Sequence, residues 1–163
     1  MKILVVYYSR TGNTRLVAQE IISMLNADVE ELRDEENRRG LLGYMKSGRE
    51  GFLKTQARLK PVKNNPKDYD RIVVGTPIWA WDLSSPVRAY LSQNQISGKN
   101  VALFCTAGGA SPGNAFKSMR RYLKDCEIIG ELTISNQYMG LTPNPRLGQD
   151  YKQRVRSWVK SLK

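Results

Sequence analysis

Histidine is missing from the 163-residue sequence, which removes imidazole bases, His-dependent triads and His metal ligands as sources of chemistry. Cysteine is nearly as scarce: Cys105 and Cys126 lie far apart and make neither a disulfide framework nor a C-x-x-C pair. No apolar run approaches a membrane span, and the opening run Met1 to Tyr8 is too short for a signal peptide and leads straight into polar residues. A cytoplasmic location is the resulting expectation. Acidic residues are in deficit, 15 Asp and Glu against 26 Lys and Arg, so the net charge of +11 should attract an anionic partner through a field that salt screens. No nucleic-acid recognition motif accompanies that charge, and scattered surface lysines account for it. The length suits one domain, 1–163, able to bury roughly two thirds of its unfolded surface. Any chemistry must be simple or borrowed from a cofactor.

What the chain does have is a polar loop between two apolar patterns. Ile3, Leu4, Val5, Val6, Tyr7 and Tyr8 read as a central parallel strand buried on both faces. Leu16, Val17, Ile21, Met24 and Leu25 then form one stripe of a helix. The loop between them, Ser9, Arg10, Thr11, Gly12, Asn13 and Thr14, therefore opens a helix N-terminus, where backbone amides and the helix dipole favour an anion. Three hydroxyls and an amide add donors, Gly12 permits close approach, and a phosphate monoester fits. A plain turn in which Asn13 or Thr14 caps the helix is the competing reading. The Gly-Lys-Ser/Thr of a P-loop and the G-x-G-x-x-G of a dinucleotide fold are both absent. That leaves binding rather than phosphoryl transfer.

Further along, Ala27 to Leu32 reads as a second strand with Val29 and Leu32 as its apolar contacts. Arg38 to Lys67 is the least typical region. Its apolar residues have helical spacing, but Gly40, Gly43, Gly48 and Gly51 predict an interrupted helix, and the basic stretch after it ends in the Pro61 to Pro66 linker. A solvated helix and loop is the expectation there. Arg71 to Gly75 and Val101 to Thr106 are short buried strands, and Ile128 to Ile134 is a fifth. Helices carrying Val87, Tyr90 and Leu91, then Phe116, Met119, Tyr122 and Leu123, and finally Tyr151, Val155, Trp158, Val159 and Leu162 alternate with them. Five strands and alternating helices predict an α/β fold, a parallel sheet covered on both faces. Ligands bind such sheets beyond the strand carboxyl ends, where the order reverses. If the order is 2-1-3-4-5, the loops after strands one, three and four meet in one crevice.

These loops together resemble the flavodoxin family, and the resemblance spans essentially the whole chain. Ser9 to Thr14 matches the family's T/S-x-T-G-x-T phosphate loop, directly after the first strand. The run Gly75, Thr76, Pro77, Ile78, Trp79, Ala80 is similar to the loop that stacks an aromatic ring on the flavin. The resemblance implies a three-layer α/β/α sandwich with strand order 2-1-3-4-5 that holds FMN non-covalently. It makes Trp79 the stacking residue; Trp81 closes the site edge or packs on the next helix. Thr106, Ala107, Gly108, Gly109 and Gly113 would bring backbone amides to the polar edge of the ring.

Three departures qualify the likeness. The Thr106 to Asn114 loop has no aromatic, leaving one flavin face open as in flavodoxin-like quinone reductases; a turn needing positive φ also explains its glycines. Ala80 stands where the family often has glycine or asparagine, and a peptide flip needing positive φ there would be resisted by about 1–2 kcal/mol. The basic charge implies an acidic redox partner. The expected function is FMN-borne electron transfer. The alternatives are an NAD(P)H-dependent reductase of quinones or other small acceptors, and a basic polyanion-binding module that has lost the flavin.

Overall fold

A computed structural model of the protein describes residues 1–36, 40–109, 111–135, 147, 148 and 150–162. Arg38, named above, lies outside the described residues, as do Arg39, Ala110 and the side chains of Leu41 and Tyr44. The chain runs β1 (Ile3–Tyr7), α1 (Asn13–Leu25), β2 (Asp28–Glu31), α2 (Gly40–Leu53), β3 (Arg71–Trp79), β4 (Asp82–Leu83), α3 (Ser85–Gln93), β5 (Asn100–Ala107), α4 (Ala115–Arg120), β6 (Glu127–Ser135) and α5 (Tyr151–Ser161).

The parallel strands are ordered β2-β1-β3-β5-β6. This is the expected order once a sixth, two-residue strand is set aside: β4 pairs antiparallel with the end of β3, Ile78 opposite Leu83 and Trp79 opposite Asp82. The two-residue period of each strand divides the core. Ile3, Val5 and Tyr7, with Val73, Ala102 and Phe104, face α1 and α5. Leu4, Val6 and Tyr8, with Ile72, Val74, Val101 and Leu103, face α3 and α4. Two apolar faces on one sheet require helices on both sides, which gives three layers.

Two expectations change. Val29 is exposed at the β2 edge whereas Glu30 points inward, because its Oε2 accepts hydrogen bonds from Lys63 N (2.8 Å), Asn64 N (2.8 Å) and Asn64 Nδ2 (3.0 Å). These bonds satisfy a buried carboxylate and tie the basic linker to the sheet. The glycine-rich segment forms one continuous helix, α2. Its excursion is closed at the base by Glu35 N bonding Arg58 O (2.9 Å) and Lys60 N bonding Arg33 O (2.8 Å). Ser85 Oγ also donates to Glu50 Oε2 at 2.5 Å. Tertiary anchoring outweighs the poor helix propensity of glycine.

Burial also shapes the pH response. Desolvation pushes the Cys105 thiol from its ordinary 9.0 up to about 12. Desolvation, then the nearby Glu31 charge, raises Tyr7 from 10.0 to about 12, and desolvation, then the hydrogen bond to Asp28, does the same for Tyr69. The unfolded chain releases these protons first, so their contribution to stability is complete below about pH 9 and is lost as pH rises toward 12. With no histidine to titrate, urea midpoints should be nearly flat from about pH 6 to 8 and then fall on the alkaline side. A midpoint that holds to pH 12 would contradict this.

Candidate functional site

The strand order reverses between β1 and β3, the place where open α/β sheets bind ligands. A cavity of about 690 Å³ opens there at the carboxyl ends of β1, β3 and β5, within the ordinary size range of small-molecule sites. Arg10, Thr11, Asn13 and Thr14 line it from the first loop, Pro77 to Trp81 from the second, and Thr106 to Gly109 with Ser111 from the third.

In the first loop Gly12, at φ 97°, is the N-cap of α1, and the cap makes no side-chain hydrogen bond. Capping by Asn13 or Thr14 is therefore not what orders this end. Ser9 does that work from outside the helix: its Oγ accepts from Gly12 N (3.1 Å) and Arg15 N (3.2 Å). Asn13 Nδ2 donates to Thr11 Oγ1 at 3.3 Å. Thr14 and Thr106, both buried, share a hydroxyl hydrogen bond of 2.8 Å that joins the first loop to the end of β5. The result is a pre-formed helix N-terminus bordered by hydroxyls and by Arg10, which suits an anionic ligand group.

The second loop is a two-residue hairpin turn. Ala80 (φ 46°) and Trp81 (φ 61°) both lie in the left-handed region, as a type I′ turn requires of its two central residues. Glycine or asparagine ordinarily fills such positions, so strain is held here. The sequence suggested that Ala80 would resist a positive φ; it already adopts one.

The two indoles both line the cavity but differ in exposure. Trp79 is only 5% exposed and packs edge-to-face on Tyr8, ring centroids 5.6 Å apart and planes at 86°. Trp81 is 75% exposed at the cavity. Its neighbour in β4, Asp82, is buried with Arg88, their charged atoms 3.1 Å apart. That separation is an ion pair without hydrogen-bond alignment, since Asp82 Oδ2 and Arg88 Nε have no hydrogen-bond partner among the described residues. Asp82 Oδ1 accepts from Leu83 N at 2.7 Å.

Two expected contact residues sit behind the site. Thr76 is fully buried, its Oγ1 accepting from Ser84 N (3.0 Å) and donating to Pro77 O (2.9 Å). Gly113, at φ 56°, lies against the turn: a Cβ there would be 2.2 Å from Trp81 O, which accepts from Asn114 N at 2.7 Å. The expected variant phenotype is clear. Gly113→Ala meets both the clash and a left-handed penalty of about 1–2 kcal/mol, so it should lower stability and displace Trp81. Unchanged unfolding and Trp fluorescence would contradict this packing.

Met45, Ser47, Gly48 and Arg49 of α2 form a wall that sequence reasoning missed. The available signal was an arginine among glycines at helical spacing, read above as a solvated helix. No carboxylate or thiol occurs among the described lining residues, and none of the helices among the described residues is long and apolar enough to cross a membrane.

A family model described as flavodoxin matches residues 2–135. The chain belongs to the flavodoxin family. Solved structures agree on the fold. One described as a flavoprotein from Bacteroides uniformis superposes with a TM-score of 0.79 at 22% identity, covering 98% of this chain and 97% of the other. A flavoprotein from Lactobacillus acidophilus, solved in complex with FMN, gives 0.66 at 23% identity, covering 81% and 92%. An archaeal flavodoxin gives 0.57 at 17%, covering 99% and 96%. No curated protein matches the sequence.

Proposed function

We propose that this flavodoxin-family protein is an FMN-dependent electron carrier. The observation that supports the reading most is the meeting of three loops around one cavity, with a helix N-terminus at one end and an exposed indole on the wall. The residues fit the cofactor. The Ser9 to Thr14 loop receives the phosphate on α1 amides and hydroxyls. Trp81 supplies an apolar face for the ring, and the backbone of Thr106 to Gly109 meets its polar edge. FMN supplies the redox chemistry; the chain binds it, orients it and limits its contact with water. The Arg10 and Arg49 side chains add positive charge at the cavity and favour a reduced, anionic ring.

One observation favours a second reading, an NAD(P)H-dependent reductase of small acceptors. Gly108 and Gly109 are exposed and bring no ring to cover the other flavin face. The FMN-loaded protein, mixed alone with NADPH and a quinone, distinguishes the two. A carrier shows no steady NADPH oxidation, yet passes electrons to cytochrome c after reduction with dithionite. Sustained turnover of NADPH would replace the carrier by the reductase.

A further inference from the structure

Helix α2 is amphipathic in the unusual sense. Gly43 and Ser47 face inward, while Leu42 (83% exposed), Met45 (63%), Phe52 (76%) and Leu53 (52%) face solvent. Positions 42, 45, 49 and 52 repeat with the three-and-four spacing of a helix-docking seam. The seam runs beside the cavity, whose wall includes Met45, Arg49 and the exposed Trp81. Several large apolar side chains left exposed near one cavity, Trp81 among them, are the kind of surface that marks an interaction site.

Charge decides what covers it. Lys46 is paired with Glu36, but Arg49, in the middle of the seam, makes no ion pair among the described residues. Two copies joined along this seam would oppose their own arginines, on chains that each carry +11. A carboxylate set among apolar side chains satisfies both features of the seam.

We propose that the Leu42, Met45, Arg49, Phe52 stripe, with Trp81 at its end, is the docking face for an acidic redox protein. That partner presents apolar side chains around a carboxylate that pairs with Arg49. The proposal rests on the electron-carrier reading and names the partner face of the same site.

The test uses the full chain and a labelled amphipathic helical peptide, leucine on one face and glutamate on the other, with a lysine counterpart as control. Fluorescence anisotropy should show the glutamate peptide binding, more weakly as salt rises, and the lysine peptide not binding. Leu42→Ser with Phe52→Ser, or Arg49→Gln alone, should weaken binding by about tenfold or more. Equal binding of both peptides, or none, overturns the proposal. So does sedimentation of the parent as a dimer that the double serine variant dissolves, or binding of phosphatidylserine vesicles without the peptide. FMN uptake is scored separately: the double serine variant should keep it. A parent that refuses FMN sinks the carrier reading and leaves the peptide result interpretable.

Discussion

Arg88→Met should lower stability by about 3–5 kcal/mol, the usual effect of leaving a buried charge without its partner. Asp82 and Arg88 are 3% and 4% exposed, so neither can turn to water. After the substitution the carboxylate retains, among the described residues, only the Leu83 amide. For a chain of this length the loss corresponds to roughly 6–20 °C in the unfolding midpoint. Because the pair lacks hydrogen-bond alignment, Asp82→Leu with Arg88→Met should recover most of the deficit. Thermal unfolding of the two variants checks this; a single variant as stable as the parent would show that the pair does not hold the hairpin. FMN affinity should fall with Arg88→Met too, since β4 fixes the turn that carries Trp81.

Replacing the two tryptophans should separate binding from folding. On the proposed reading, Trp81→Ala would remove a ring face able to cover roughly 100 Å² of flavin, worth about 2.5 kcal/mol, plus 0.5–1.5 kcal/mol of stacking. The dissociation constant for FMN should rise about a hundredfold or more, while apoprotein stability stays within about 0.5 kcal/mol, as for a surface residue. Trp79→Ala opens a hole in the core beside Tyr8 and should cost about 3–5 kcal/mol in the apoprotein. Urea unfolding without FMN and fluorescence titration with it measure both quantities. The reverse pattern, Trp79 governing affinity and Trp81 governing nothing, would give the stacking role to Trp79, as the sequence suggests.

The two indoles mark where sequence reasoning stops. The strands were legible because each is a short apolar run with a two-residue alternation, and the first loop because its residues follow β1 directly. The indoles could not be assigned. How far each is exposed at the cavity depends on a two-residue turn built from Ala80 and Trp81, and neither advertises the positive φ it adopts. Val29 and Glu30 were reversed because the bonds that reward an inward Glu30 come from Lys63 and Asn64, far along the chain. Helix α2 was underrated for a related reason. Its glycines lower local propensity, whereas its anchors, Arg33 with Lys60 and Glu50 with Ser85, are visible only after folding.

On the proposed reading the loop from Ser9 to Thr14 receives a phosphate while the cavity beside it receives a flat ring. Titrating the apoprotein in parallel with FMN and with riboflavin, which has the ring without the phosphate, tests it most directly. The expected result is one FMN bound per chain with quenched tryptophan fluorescence, and much weaker riboflavin binding. No uptake of FMN, or equal affinity for the two, would contradict it.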